Sequence, residues 1–130
     1  MMIVYTIGYW GRSISEFIAL LKENGITAVI DVRRFPKSSN IEFNRENLER
    51  TLREHGIKYF FLGGSLGGFV KGGYEKYMET QKFKEGFNAL IKIAGSEVAV
   101  LMCKERNIKH CHRRFIVQCL ERLGIEVKNL

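Results

Sequence analysis

Proline is all but missing from this chain: Pro36 is the only one, and it stiffens a basic loop at the point where several cations emerge. Cysteine is scarce and odd in number, at three, and Cys119 falls within a helical apolar pattern, so a disulfide framework is not expected. Long apolar runs are absent as well. Nothing approaches the roughly 18–20 residues of a membrane span, and the apolar start Met1–Ile7 is far too short for the core of a signal peptide. A cytoplasmic protein with no membrane partner is the expectation. Acidic residues number 14 against 21 Lys and Arg, and the resulting charge of +7 favours an anionic partner, either a small molecule or nucleic acid. The cations are spread over nearly every segment, which also fits a solvated surface. No repeat, low-complexity tract or linker divides the chain, and 130 residues at 45% apolar suit one domain, residues 1–130, needing neither disulfide nor metal to fold.

The apolar residues alternate between two periods. Ile3–Ile7 reads as a strand that breaks at Gly8-Tyr-Trp-Gly11. Ser13 and Glu16 have capping-box spacing, and Ile14, Phe17, Ile18 and Leu21 make a helical stripe that Gly25 stops. Ala28–Val32 is a second strand, emptying into Arg33-Arg-Phe-Pro-Lys-Ser38. Asn44 suits an N-cap, with Phe43 and Leu48 spaced as a hydrophobic staple and Gly56 closing that helix; His55 beside it suits a cation at a helix C-terminus. Ile57–Leu62 is a third strand and Tyr74–Thr80 a short helix. Phe83, Phe87, Leu90, Ile91 and Ala94 line a longer helix closed by Gly95, and Glu97–Met102 is a fourth strand. Phe115, Ile116, Cys119, Leu120 and Leu123 face inward from a last helix before a short strand, Ile125–Val127. This alternation predicts an α/β fold: a single three-layer domain with a mostly parallel sheet of about five strands flanked by helices.

In a parallel sheet the loops after the strands gather on one rim, where ligands bind. The segments Gly8–Gly11, Arg33–Ser38, Gly63–Gly73 and Cys103–His112 should therefore meet. The last is the richest: Val98–Met102 delivers Cys103 and Glu105, and Cys111, His112, Arg113 and Arg114 follow within a few residues. Asp31 inside a buried strand needs a partner, either Arg33 or backbone N–H groups at the strand end. The Gly63–Gly73 stretch has six glycines in eleven residues but matches neither a P-loop nor a dinucleotide fingerprint, and suits an anion cradle or a mobile lid.

Thr6-Ile-Gly-Tyr9, Asp31-Val-Arg33 with Pro36 and Ser38, Leu66-Gly-Gly68, Tyr77-Met78, and Cys103-x-Glu105 followed by Cys111-His112-Arg113 resemble the family called domain of unknown function 488, over essentially the whole chain. The family brings no established reaction or cofactor. The layout is similar in outline to Rossmann-like and rhodanese-like folds and to cysteine phosphatases, but the phosphatase spacing Cys-x5-Arg, counted from Cys103, meets Lys109.

The chemistry of the residues points to an enzyme with Cys103 as nucleophile, His112 as acid or base and Glu105 orienting it. Gly8, Asp31, Arg33, Cys111 and Arg113 would shape the binding of an anionic substrate. Three readings compete. A zinc clip could draw on Cys103, Glu105, Cys111 and His112, although the spacing suits no standard zinc motif and no metal is expected. A structural network could pair Glu105 with Arg113. A non-catalytic nucleotide or nucleic-acid module could stack bases on Tyr9, Trp10 and Phe69.

Overall fold

Five of the apolar runs lie side by side in a computed structural model that describes residues 2–130. They are β1 (Ile3–Gly8), β2 (Ala28–Asp31), β3 (Lys58–Phe61), β4 (Ala99–Cys103) and β5 (Glu126–Asn129). All pairings are parallel, in the order β3-β2-β4-β1-β5. The helices are α1 (Ile14–Glu23), α2 (Arg45–Glu54), α3 (Gly63–Leu66), α4 (Tyr74–Tyr77), α5 (Gln81–Ser96) and α6 (Arg113–Arg122). The three-layer α/β expectation holds.

Strand alternation divides the core into two halves. Val100 and Met102 of β4 face α1 and α2, packing with Phe17, Leu21, Phe43, Leu48 and Leu52. Ala99, Leu101 and Cys103 point the opposite way, toward Leu90 of α5 and Ile116 and Leu120 of α6. Most of these side chains are wholly buried, and each Leu, Ile, Val, Phe or Met contributes about 1.5–3 kcal/mol in transfer terms.

Local signals act largely as read. Ser13 Oγ accepts from the Glu16 N–H at 3.0 Å and Glu16 Oε1 accepts from the Ser13 N–H, closing the capping box of α1. Asn44 is a correction. It occupies the N-cap position of α2, but its side-chain oxygen accepts instead from the Ser38 N–H at 2.6 Å, tying down the basic loop. Gly95 does not stop α5, which runs on to Ser96.

Strand order creates the crevice. The chain leaves β2 for β3 through α2 on one face of the sheet, and leaves the adjacent β4 for β5 through α6 on the other. Loops that diverge from neighbouring strand ends leave a gap between them, the usual ligand position in open α/β sheets. Backbone pairing continues past the strands, with Tyr9 and Trp10 donating to the carbonyls of Cys103 and Lys104 at 3.1 and 3.0 Å, and Val32 to Met102 at 3.1 Å. Among the described residues no helix is long and apolar enough to cross a membrane.

Gly8 permits this close approach. A Cβ there would overlap the Glu105 carbonyl and crowd Arg106 Cα, so the loop after β4 crosses where only a hydrogen fits. Gly8→Ala is expected to cost about 1–3 kcal/mol, the usual penalty of overpacking. Urea unfolding checks it, and an unchanged midpoint would mean that the loop moves aside freely.

Candidate functional site

Asp31 ends β2 fully buried, and an isolated carboxylate cannot stay there charged without partners. It has three. Arg33 folds back so that Nε and Nη2 donate to the two carboxylate oxygens at 2.9 and 2.8 Å, a bidentate pair. The Arg33 N–H donates to Oδ1 at 3.1 Å, and the Tyr59 hydroxyl to Oδ2 at 2.6 Å. Both readings of Asp31, ion pair and backbone cap, are thus realised together. Burial pulls the Arg33 pKa down, but the hydrogen bonds and charge of Asp31 outweigh it and the net shift is upward. The Tyr59 hydroxyl is pushed up by burial and by the adjacent carboxylate. Arg33 Nη1 is buried without a hydrogen-bond partner.

With Arg33 turned inward, Arg34 reaches the glycine-rich segment. Its Nε and Nη2 donate to the carbonyls of Gly68 and Gly67 at 2.6 and 3.1 Å. Tyr74 and Tyr77 hydroxyls donate to the carbonyls of Leu66 and Ser65, both at 2.7 Å. The stretch read as an anion cradle or a mobile lid begins as a helical turn, α3, followed by a buried, clamped Gly67-Gly68. Gly64, Phe69 and residues 71–73 stand exposed. Phe69 is 90% exposed and holds φ 59°, a conformation that a bulky L residue rarely adopts.

On the other wall, Cys103 ends β4 and Cys111 precedes α6, and both are almost wholly buried. Their sulfur atoms lie against each other, with Cα atoms 7.8 Å apart, wider than a disulfide spans without backbone movement. The three cysteines thus give one juxtaposed pair at the rim, with Cys119 apart from it. Cys111 Sγ accepts from the Arg113 N–H at 3.4 Å and lies 3.7 Å from His112 Nδ1. His112 Nε2 meets the Val32 carbonyl at 2.9 Å. A carbonyl only accepts, so Nε2 carries the proton, and Nδ1 of the neutral ring is a free acceptor beside the sulfur. Burial lowers the His112 pKa; the hydrogen bond to the Val32 carbonyl is the next largest effect and opposes it, the charges of Arg113 and Arg34 add to the lowering, and the Leu66 backbone opposes it least. Gly68 lies over this ring, and a Cβ there would come within 3.2 Å of Nδ1.

These walls enclose a cavity of about 410 Å³. Arg33, Arg34, Lys37 and Lys104 line it against one carboxylate, Glu105, and both cysteines and His112 reach it. Phe35 and Phe69, their ring centroids 6.1 Å apart, stand exposed at its edge.

The residues singled out from sequence divide into three groups. Arg33, Cys103, Glu105, Cys111 and His112 come together on the cavity wall. Asp31 and Arg113 lie behind it. Arg113 is 1% exposed, donates through Nη2 to the Glu105 carbonyl, and is lowered by burial to a pKa of about 10. Gly8 meets the Glu105 backbone rather than the cavity. The Glu105 side chain is exposed, and its backbone carbonyl is what Arg113 holds. Of the three rings considered for base stacking, Tyr9 is buried and stacked on Phe43 at 4.5 Å. Trp10 stays half exposed under Lys104, whose Nζ lies 4.6 Å from the ring centroid. Among the described residues no three His, Cys, Asp or Glu side chains gather as a metal site.

Arg34, Phe35, Lys37 and Lys104 do not stand out individually in the sequence. The available signal is the i, i+2 relation of Asp31 and Arg33, which places both on one side of an extended chain and leaves the next cation free.

The chain belongs to the family described as Domain of unknown function DUF488, whose model matches residues 13–73 and 67–120. No curated protein and no solved structure matches it.

Asp31→Asn is expected to cost about 3–5 kcal/mol, because it leaves the Arg33 guanidinium buried and uncompensated. Tyr59→Phe, removing one of the three partners, should cost less; equal losses in chemical denaturation would contradict the ion pair's primacy. His112, with its pKa lowered in the fold, binds fewer protons folded than unfolded. Its stabilising contribution is present above about pH 6.5, the unfolded value, and is lost as pH falls through the lower folded one. The acid loss of stability should shrink in His112→Gln, and an identical decline in both proteins would rule this histidine out as its source.

Proposed function

We propose that this DUF488 domain is a thiol enzyme acting on an anionic substrate, phosphate-bearing or carboxylate-bearing, at the cavity between β2 and β4. The observation that carries the reading is the pairing of a base with a sulfur. His112 is fixed through Nε2 to the Val32 carbonyl, leaving Nδ1 3.7 Å from Cys111 Sγ. The reduced Cys111 thiol gives its proton to Nδ1, and the thiolate is favoured by the Arg113 N–H at the start of α6 and by nearby cations. This shifts the nucleophile from Cys103, where the sequence pointed first, to Cys111.

Arg34, Lys37 and Lys104 attract the substrate's charge. Asp31 and Arg113 act as positioning residues: one holds Arg33, the other the loop backbone at Glu105. Thiolate chemistry of this kind suits the reducing cytoplasm. A second reading, a nucleotide or nucleic-acid surface, is favoured by the exposed Phe35, Phe69 and Trp10 beside the same cations.

The test uses reduced protein in a Cys119→Ser background, with alkylation of each cysteine followed by mass spectrometry across pH. Cys111 should react with an apparent pKa below the free value of about 8.5, and His112→Ala should slow it about tenfold at pH 7. Iodoacetate should gain on neutral iodoacetamide relative to a free thiol. A Cys111 that titrates at or above the free value would sink the thiol-enzyme reading. Salt-sensitive nucleic-acid binding unaffected by alkylation would then favour the second.

A further inference from the structure

A lone nucleophilic thiol does not account for the second sulfur. Cys103 and Cys111 are eight residues apart, arrive from a strand end and a helix start, and meet at the cavity wall. An acyl- or phosphoryl-transferring cysteine gains nothing from a neighbour able to bond to it, because that bond removes the nucleophile. Full reduction of a disulfide by one chain, by contrast, uses such a neighbour to resolve the mixed disulfide.

We infer that the pair is a two-cysteine exchange centre that reduces small anionic disulfides, with Cys111 attacking and Cys103 resolving; this rests on the reading of Cys111 as nucleophile. The two sulfurs are unequally equipped. Cys111 has His112 Nδ1 and the Arg113 N–H beside it. Cys103 lies at the end of a buried strand, with its sulfur against that of Cys111. Attack therefore begins at Cys111. With Arg33 neutralised by Asp31, Arg34, Lys37 and Lys104 against the one carboxylate of Glu105 select negative substituents on the substrate, and the volume of about 410 Å³ admits a small molecule.

The steps balance. The Cys111 thiolate attacks one sulfur of R–S–S–R, forming a mixed disulfide as the substrate's S–S bond breaks. The leaving RS⁻ takes the electron pair and receives the proton that His112 had accepted from Cys111. Cys103 then attacks Cys111 Sγ, breaking the mixed disulfide. The second RS⁻ departs with its electron pair and takes the Cys103 proton by way of His112. Two electrons and two protons have passed from the cysteines to the substrate, giving two RSH and a Cys103–Cys111 disulfide, a bond for which the two sulfurs are already juxtaposed. An external dithiol supplies two electrons and two protons to restore the thiols.

The experiment starts from reduced, desalted Cys119→Ser protein and adds dithiodipropionate, hydroxyethyl disulfide or cystamine, which are anionic, neutral and cationic disulfides of similar size. Peptide mapping follows the sulfurs while released small thiol is counted. The expected product is an internal Cys103–Cys111 bond with two thiols released per chain, formed about tenfold or more faster with the anion than with the cation at low salt. Cys103→Ser should stop at a mixed disulfide on Cys111 with one thiol released. Should that variant fold poorly, mapping the protein with both cysteines intact still distinguishes an internal bond from a mixed disulfide. A persistent mixed disulfide in the starting protein, or release of both thiols by Cys103→Ser, would overturn the exchange centre while leaving Cys111 a nucleophile. Equal rates for the anionic and cationic probes would overturn the substrate class. A Cys111 inert to all three, and to alkylation, would overturn the thiol-enzyme reading itself.

Discussion

The buried pair of Asp31 and Arg33 sets the geometry on which the rest of the rim depends. A bidentate contact between residues two apart bends the chain just after β2, so that Arg33 points back and Arg34 points on. The Val32 carbonyl between them anchors His112, and Arg34 clamps the glycine-rich turn that covers the same ring. A buried ion pair is weak as a source of net stability, since desolvation offsets much of its attraction. Its effect here is positional: each element of the site is one or two contacts away from that carboxylate.

Much of this order is legible in the sequence, for physical reasons. Continuous apolar runs and capping residues are local, so the central strands, the Ser13 box and the stripe of α5 follow directly from residue spacing. The convergence of loops on one rim follows from parallel pairing alone. Asp31 announces itself because a buried carboxylate must have a partner, and Arg33 is the nearest cation on its side of the chain.

What the sequence conceals depends on contacts between distant elements. Tyr9 looks like an exposed loop aromatic, yet the tight crossing at Gly8 turns it onto Phe43 and into the core. Glycine content suggests freedom in the 63–73 stretch, but the same missing side chains let Arg34 and His112 pack against its backbone, and the stretch is held rather than loose. Asn44 has the right chemistry for a cap and a better partner at Ser38. The pairing of Cys103 with Cys111 needs the fold of the 104–110 loop, which no spacing rule specifies.

The charge of +7 acquires meaning only through burial. Most cations are exposed and add to solubility. Arg113 differs: it is sealed behind the cavity, and although burial lowers its pKa to about 10, it stays protonated at neutral pH. Its charge acts through protein rather than water, where screening is weak. It also contributes to holding His112 neutral. A neutral ring with a bare Nδ1 can accept a proton, whereas an imidazolium could not. The same buried cation that helps keep the base unprotonated also favours negative charge on the neighbouring sulfur. In the proposed transfer of a proton from thiol to imidazole, this residue behind the wall favours the thiolate and opposes the imidazolium, without touching a substrate.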